Sequence, residues 1–487
     1  MTRIVDRLNG DLPLSTPAAA AATVAADATV LVSGFGSVGY PKAVPLALAE
    51  SDRDLSLTVV SGGSVGKEID GALVDAGAVE RRFPFQARQT IRAAINEGHV
   101  AFQDRHVGGL GDDVQYGRLV DPDVALVEAV AVGDDWLVPS TSIGHTPAFV
   151  ESADRIVVEV NHAQPLDLQR IHDVYRPGTP PGREPIPLSA ADGRIGSPRI
   201  RFDPGKLEAV VETRRRDSPY SFREPTDTDE EIAENLVDFV CAEGDRNPVY
   251  VEEVHMQFGV GGLGNALMHS LSEKESVCDR ELVYFGEVIQ DGLLEMMDNG
   301  HLRTASATAL ALSDDGQEKL FADVGRYADD LVLRPTDVSN NAALVERFGI
   351  MAVNSALEVD VYGNVNSTHV GGTDIVNGIG GSNDYTRHAM VSVIALPSRA
   401  SGGDISRVVP MVPHVDQTEH DTDVIITEHG VADLRGKSPV ERAELVVESC
   451  AHPSFREDLR AYLRRAEGGG GHVPHDLDTA FEWRDRG

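Results

Sequence analysis

The sequence predicts an α/β fold of two open domains with mainly parallel sheets, the active site lying in the cleft between them. Three observations lead there. Short apolar runs rich in β-branched residues, at 28–32 and 55–60, end in Gly/Ser turns and are followed by helix-period segments such as 43–50. The runs are near-continuous and not alternating, which is the pattern of strands covered on both faces in a parallel sheet. The chain has 487 residues, more than one core usually organises, so two domains are expected. A glycine count of 47 with only 5% aromatics fits many tight strand–helix turns.

Further strands are expected at 124–130 and 155–160, with a Pro/Gly-rich surface loop at 176–187. The domain boundary falls in 214–229, which holds an Arg triplet, Pro219, Pro225 and the polar run Thr226-Asp227-Thr228-Asp229. That run also caps a helix expected over 230–243, with acidic residues in its first turn. The domains are therefore 1–217 and 218–487. The second repeats the α/β rhythm, with strands expected at 248–254, 282–285, 350–353, 390–395 and 423–427 and a last helix at 456–467. The glycines at 468–471 open a tail whose expected state is flexible.

Charge narrows the function. There are 43 basic and 78 acidic residues, a net charge of −35, and only six of the basic residues are lysine. The acidic residues are spread along the chain, as in a protein kept soluble in concentrated salt, so a halophilic source is expected. No basic stripe exists to neutralise phosphates, which argues against nucleic-acid binding. Cys241, Cys278 and Cys450 are widely spaced, and imply no disulfide framework, a reducing compartment and no metal site. The first residues lack the pattern of a secretory leader, and the alanine run at 18–22 is too short to span a bilayer. A soluble, cytoplasmic protein is expected.

Three short motifs carry competing chemistry. Gly34-Phe35-Gly36-Ser37-Val38-Gly39 and Gly259-Val260-Gly261-Gly262-Leu263-Gly264 both match the G-x-G-x-x-G pattern of a dinucleotide site, with Asp52 or Asp54 near the ribose distance of the first. In so glycine-rich a chain, tight β–α turns with N–H groups facing a cleft are the better reading. Gly62-Gly63-Ser64-Val65-Gly66 matches the nucleophile elbow of an α/β-hydrolase thioesterase. Ser64 would then be the nucleophile, with His414, His420 or His429 as partner by order alone.

The second half is richer. The stretches 363–372 and 377–382 bring glycines and small polar residues together, as an anion nest or oxyanion hole requires. Glu287 follows the apolar run 282–285 and Glu428 follows 423–427. Both stand at C-terminal strand ends, where open α/β sheets bind ligands. Two carboxylates beside a glycine-rich loop can form an acid/base or nucleophilic site.

These residues resemble the acetyl-CoA hydrolase/transferase family within the class I CoA-transferases, a group that includes succinyl-CoA:acetate CoA-transferases. The resemblance is carried by Gly39-Tyr40-Pro41-Lys42, Gly286-Glu287-Val288-Ile289-Gln290-Asp291, 363–372, 377–382 and 414–435, and spans 28–462. It implies that Glu287 is the nucleophile and that Gly259, Val260, Gly261, Gly262 and Leu263 form the CoA-contacting loop. It further implies that the N–H groups of Leu263 and Gly381 are oxyanion donors, that Ser64, Asn340 and Glu428 line the active site, and that Asn377 contacts CoA. Relatives often carry lysine at the CoA-contact position that is Ser401 here. The activity implied is transfer of CoA between small acids such as acetate, propionate and succinate, through a glutamyl-CoA thioester. Acetyl-CoA hydrolysis by the same Glu287, or a Ser64 thioesterase, are the alternatives. CoA is then a substrate, no separate cofactor is needed, and a homodimer is expected by family analogy.

Overall fold

The apolar runs of the first half become the strands β1 Thr29–Val32, β2 Leu57–Ser61, β3 Val79–Phe83, β4 Ala101–Phe102, β5 Val124–Gly133, β6 Trp136–Pro139, β7 Arg155–Asn161, β8 Ile200–Arg201 and β9 Leu207–Thr213 in a computed structural model. Residues 4–218, 223–259, 261–273, 280–400 and 402–482 are described. Val260, Cys278 and Ser401 lie outside the described residues. Two units divide the chain: Met1–Ser221, Tyr284–Leu294 and Thr304–Leu344 form the first, and Phe222–Val283, Glu295–Arg303 and Val345–Gly487 the second.

In the first unit the strands pair in parallel in the order β4-β3-β2-β1-β5-β7-β9, and β6 and β8 add on antiparallel beyond β5. The near-continuous apolar runs are explained by burial on both faces: every residue of the ten-residue β5 is buried. Val30, Val32, Leu57, Val59 and Leu126 form one core with Val44 and Leu48 of the helix Ala43–Ala49. Each such side chain contributes roughly 1.5–3 kcal/mol on burial.

Parallel strands also build the second unit. Strands Glu253–Phe258, Met351–Ser355, Val391–Ala395 and Val424–Thr427 pair in parallel, and Gly430–Asp433 closes antiparallel on the last. The strand expected at 248–254 begins only at Glu253, because Pro248–Tyr250 forms a single 3₁₀ turn in which the Asn247 side chain accepts from the Val249 N–H. The helix after the boundary runs Asp227–Arg246, held at its start by a reciprocal capping box of Thr226 and Asp229. Residues 472–482 are docked and not free: Tyr362 donates to the Pro474 carbonyl, Tyr462 bonds His475, and Ala480 is buried. Gly470 and Gly471, at φ +70° and +111°, let the chain turn back for this. Cys241 is disulfide-bonded in a chain for which no disulfide framework was expected; Cys450 is free and buried. Among the described residues no helix is long and apolar enough to cross a membrane.

Glu243 illustrates how this unit spends its arginines. Its carboxylate takes two bonds of 2.9 Å from Arg435, one of 2.7 Å from Arg246 and one of 3.1 Å from Asn247. The Arg435 bonds, then those of Asn247 and Arg246, outweigh burial and pull its pKa from 4.5 down to about 2. A depressed carboxylate stabilises the fold above its unfolded pKa and loses that contribution as pH falls through its folded one, here between 4.5 and 2. The unfolding free energy of the wild type should exceed that of Glu243→Gln at neutral pH, by at most about 3 kcal/mol. Denaturant titrations at stepwise lower pH should show the gap closing across that window.

Candidate functional site

In the first unit Glu287 sits in the turn after the strand Glu281–Phe285, half-buried. Its carbonyl accepts from the N–H groups of Thr308 and Ala309 at 2.9 and 3.1 Å, which pins the turn. Its carboxylate accepts from Asn340 Nδ2 at 2.7 Å. Asn340 ends the short helix Thr336–Ser339, is nearly buried, and accepts in turn from Ser339 Oγ at 2.8 Å. Asn340, expected only as one of the residues lining the site, thus bonds the Glu287 carboxylate directly. This charge-assisted bond helps fix the direction of the carboxylate.

Ser64 lies in the turn after β2, and the two tempting motifs of this half prove to be each other's packing partners. The Ser37 N–H donates to the Ser64 carbonyl at 3.0 Å, and Ser37 Oγ to the Val65 carbonyl at 3.3 Å. The Phe35 ring lies against Gly63, and a Cβ at Gly66 would collide with the Tyr40 hydroxyl. Gly36, at φ +63°, faces Val288 and Ala311, so the glycines that imitate a dinucleotide fingerprint are filled by protein. Phe35, Val38, Val107, Val288, Ala309 and Ala311 form one apolar cluster, linking this loop to the residue beside Glu287. The elbow reading loses its geometry, since a nucleophile elbow strains its serine. The described non-glycine residues at positive φ are Ser37 and Arg118, not Ser64. The Ser64 hydroxyl makes no hydrogen bond among the described residues.

Beneath this loop is a polar network that the sequence did not reveal. The ammonium of wholly buried Lys42 contacts Glu128 at 2.5 Å, Asp217 at 2.8 Å and the Tyr40 carbonyl at 2.8 Å. Burial works against the Lys42 charge, but Asp217 and Glu128 outweigh it and raise its pKa. Burial also raises that of Glu128, against the pull of Lys42. Glu159 accepts from the N–H groups of Lys42, Ala43 and Val44 at the start of their helix. His145 was missed as well: buried against Gly62, it bonds the Val107 carbonyl through Nε2, and burial lowers its pKa.

In the second unit, Gly259, Gly261, Gly262 and Leu263 line a cavity of about 280 Å³. The helix Gly262–Glu273 starts there, and Gly381 caps the short helix Ser382–Thr386. The first N–H groups of a helix have no acceptor within it, so both predicted oxyanion donors occupy positions of that kind. Glu428 accepts from the N–H and hydroxyl of Ser398, and lines an adjoining cavity of about 600 Å³ with His429 and His452. Arg223, Pro397 and Arg407 line both cavities. Asn377 and Gly381 line neither. Sequence reasoning missed Arg223, which holds Asp229 through two bonds, and Arg407, whose pKa is lowered by burial. Their signal was the use of scarce positive charge near a glycine-rich turn. The glycine-rich stretch 363–375 is built mostly as turns: Asp360 accepts from the N–H groups of Tyr362, Gly363 and Asn364, and His369–Val370 pairs with Asp374–Ile375. Of the histidines proposed for Ser64, His414 bonds Asp416, His429 faces Glu428, and His420 is exposed beside Glu419.

Known proteins resolve the class. The profile of the acetyl-CoA hydrolase/transferase N-terminal domain matches residues 13–212, and that of the C-terminal domain matches 316–463. A succinyl-CoA:acetate CoA-transferase of Clostridium kluyveri is 40% identical over 460 residues, covering 93% of this chain and 85% of that protein. An acetyl-CoA hydrolase of Candida glabrata is 37% identical over 474 residues, covering 93% and 89%. The crystal structure of RipA from Yersinia pestis shares the fold at TM-score 0.71 and 22% identity, over 94% of this chain and 97% of that one. Mainly parallel α/β sheets, a strand-end glutamate and matches across both halves agree: this chain belongs to the acetyl-CoA hydrolase/transferase family and is an enzyme of that type.

Proposed function

We propose that the protein moves CoA between small carboxylic acids, with Glu287 as covalent carrier. The observation that carries this reading is the Glu287 carboxylate at a strand's C-terminal end, oriented by the 2.7 Å bond from Asn340. A Glu287 oxygen attacks the acyl-CoA carbonyl carbon, the C–S bond breaks, and CoA thiolate leaves a mixed anhydride. The thiolate then attacks the Glu287 side-chain carbonyl carbon, releasing the first acid as its carboxylate and forming the glutamyl-CoA thioester. An acceptor carboxylate attacks that thioester and the steps run in reverse, so no proton is gained or lost. Each tetrahedral oxyanion needs fixed donors. The family resemblance assigns the Leu263 and Gly381 N–H groups, and losing one such donor typically costs about 3 kcal/mol of barrier. Arg223 and Arg407 favour anionic ligands in the second unit.

Water in place of the acceptor would yield the acid and free CoA by the same chemistry. Transfer is favoured by the unpartnered Ser64 hydroxyl, which suits a second carboxylate. Acetyl-CoA consumption should accelerate several-fold when succinate or propionate is added, with new thioester formed in equal amount. Ser64→Ala should raise KM for the acceptor acid roughly ten-fold, about one hydrogen bond to a charged group. Consumption that ignores added acids would assign the protein to hydrolysis.

A further inference from the structure

Ser37 is wholly buried and holds φ +63°, a left-handed conformation that costs any residue with a Cβ. Its neighbour Gly36 has the same φ, and the Phe35 and Val38 main chains bond each other at 3.2 and 3.3 Å across the pair. Two central residues at positive φ are the signature of a I′ turn, whose second central position strongly favours glycine. This chain is rich in glycine and has one at 34, 36 and 39, yet it places serine at that position. The side chain therefore has work that offsets the backbone cost. Both donors of Ser37 are spent on the turn after β2: N–H to the Ser64 carbonyl, Oγ to the Val65 carbonyl. They hold the peptide groups on both sides of the Val65 Cα, the first of which starts at the Ser64 Cα, and so constrain the backbone that carries a hydroxyl nothing else among the described residues holds.

We infer that Ser37 is a positioning residue that aims the Ser64 hydroxyl at the carboxylate substrate. The inference rests on the reading of Ser64 as a carboxylate-binding group. Its consequence separates stability from activity. Ser37→Gly keeps the N–H bond, relieves the strained φ and removes the hydroxyl bond, so the thermal midpoint should hold or rise. The same change should raise KM for the acceptor acid about five-fold, the loss of one neutral hydrogen bond. The acid released when acyl-CoA loads CoA onto Glu287 leaves from the same position, so Ser37→Gly should slow loading no more than Ser64→Ala does.

The decisive experiment is a double-variant cycle of Ser37→Gly and Ser64→Ala, reading acceptor KM, loading rate and thermal midpoint. If Ser37 acts through Ser64, Ser37→Gly adds nothing to KM in the Ser64→Ala background. Effects that multiply in the double variant, or an acceptor KM untouched by Ser37→Gly where Ser64→Ala raises it, would overturn the positioning role and leave the carboxylate reading standing. An acceptor KM unchanged by Ser64→Ala would overturn the reading on which the inference rests.

Discussion

Glu287→Ala should lower kcat for acyl-CoA turnover by roughly 10⁴-fold or more, because it removes the nucleophile and not an auxiliary contact. Stopped assays with excess acetyl-CoA measure this. The thermal midpoint should change little, since Glu287 is only half-buried and its main-chain bonds to Thr308 and Ala309 remain. Glu287→Asp keeps the charge but withdraws the carboxylate by one methylene from Asn340. A misplacement on the order of 1 Å at the reacting atom costs about 10²-fold, so aspartate should fall between wild type and alanine. A Ser64 thioesterase would instead keep its rate in Glu287→Ala and lose it in Ser64→Ala.

Lys42→Met should destabilise the first unit by about 3–5 kcal/mol, the usual effect of removing one partner from a buried ion pair. Methionine fills the space, but Glu128 and Asp217 then face each other without a cation. Ser140 and Asn161 still bond Glu128, and Thr141 and Gln164 still bond Asp217, so both carboxylates remain fixed where they repel. The structure also predicts a repair. Lys42→Met combined with Glu128→Gln removes one of the two stranded charges and should recover part of the loss in denaturant titrations. If Lys42→Met unfolds at the wild-type midpoint, the ion triad is not what holds the loop 34–40 in place.

Much of the fold was legible because it depends on local pattern. The β-branched runs became β1, β2, β5 and β7 within a few residues, and the Thr226–Asp229 capping box marked the start of its helix. Errors came where a turn competes with a strand: Val249 and Val251 look like strand residues, but Asn247 and Pro248 close a 3₁₀ turn first. The site was legible unevenly. Glu287, Ser64 and Asn340 could be named through family resemblance, and the Glu287–Asn340 bond links residues 53 apart that no spacing rule connects. The Lys42 triad was hidden for the same reason, since its carboxylates come from β5 and from the segment after β9. Glycine-rich motifs misled most, because a sequence shows that a Cβ is missing and not which atom takes its place. At Gly66 that atom is the Tyr40 hydroxyl, and at Gly36 the space is taken by Val288 and Ala311, not by a nucleotide.

The central claim is a covalent bond between CoA and Glu287, and peptide mass spectrometry of the enzyme quenched during turnover with acetyl-CoA reads it directly. The account predicts CoA attached through a thioester to the peptide containing Glu287, released by added acceptor acid and missing from Glu287→Ala. Sustained turnover with that peptide unmodified, or an acyl group found on Ser64, would contradict it.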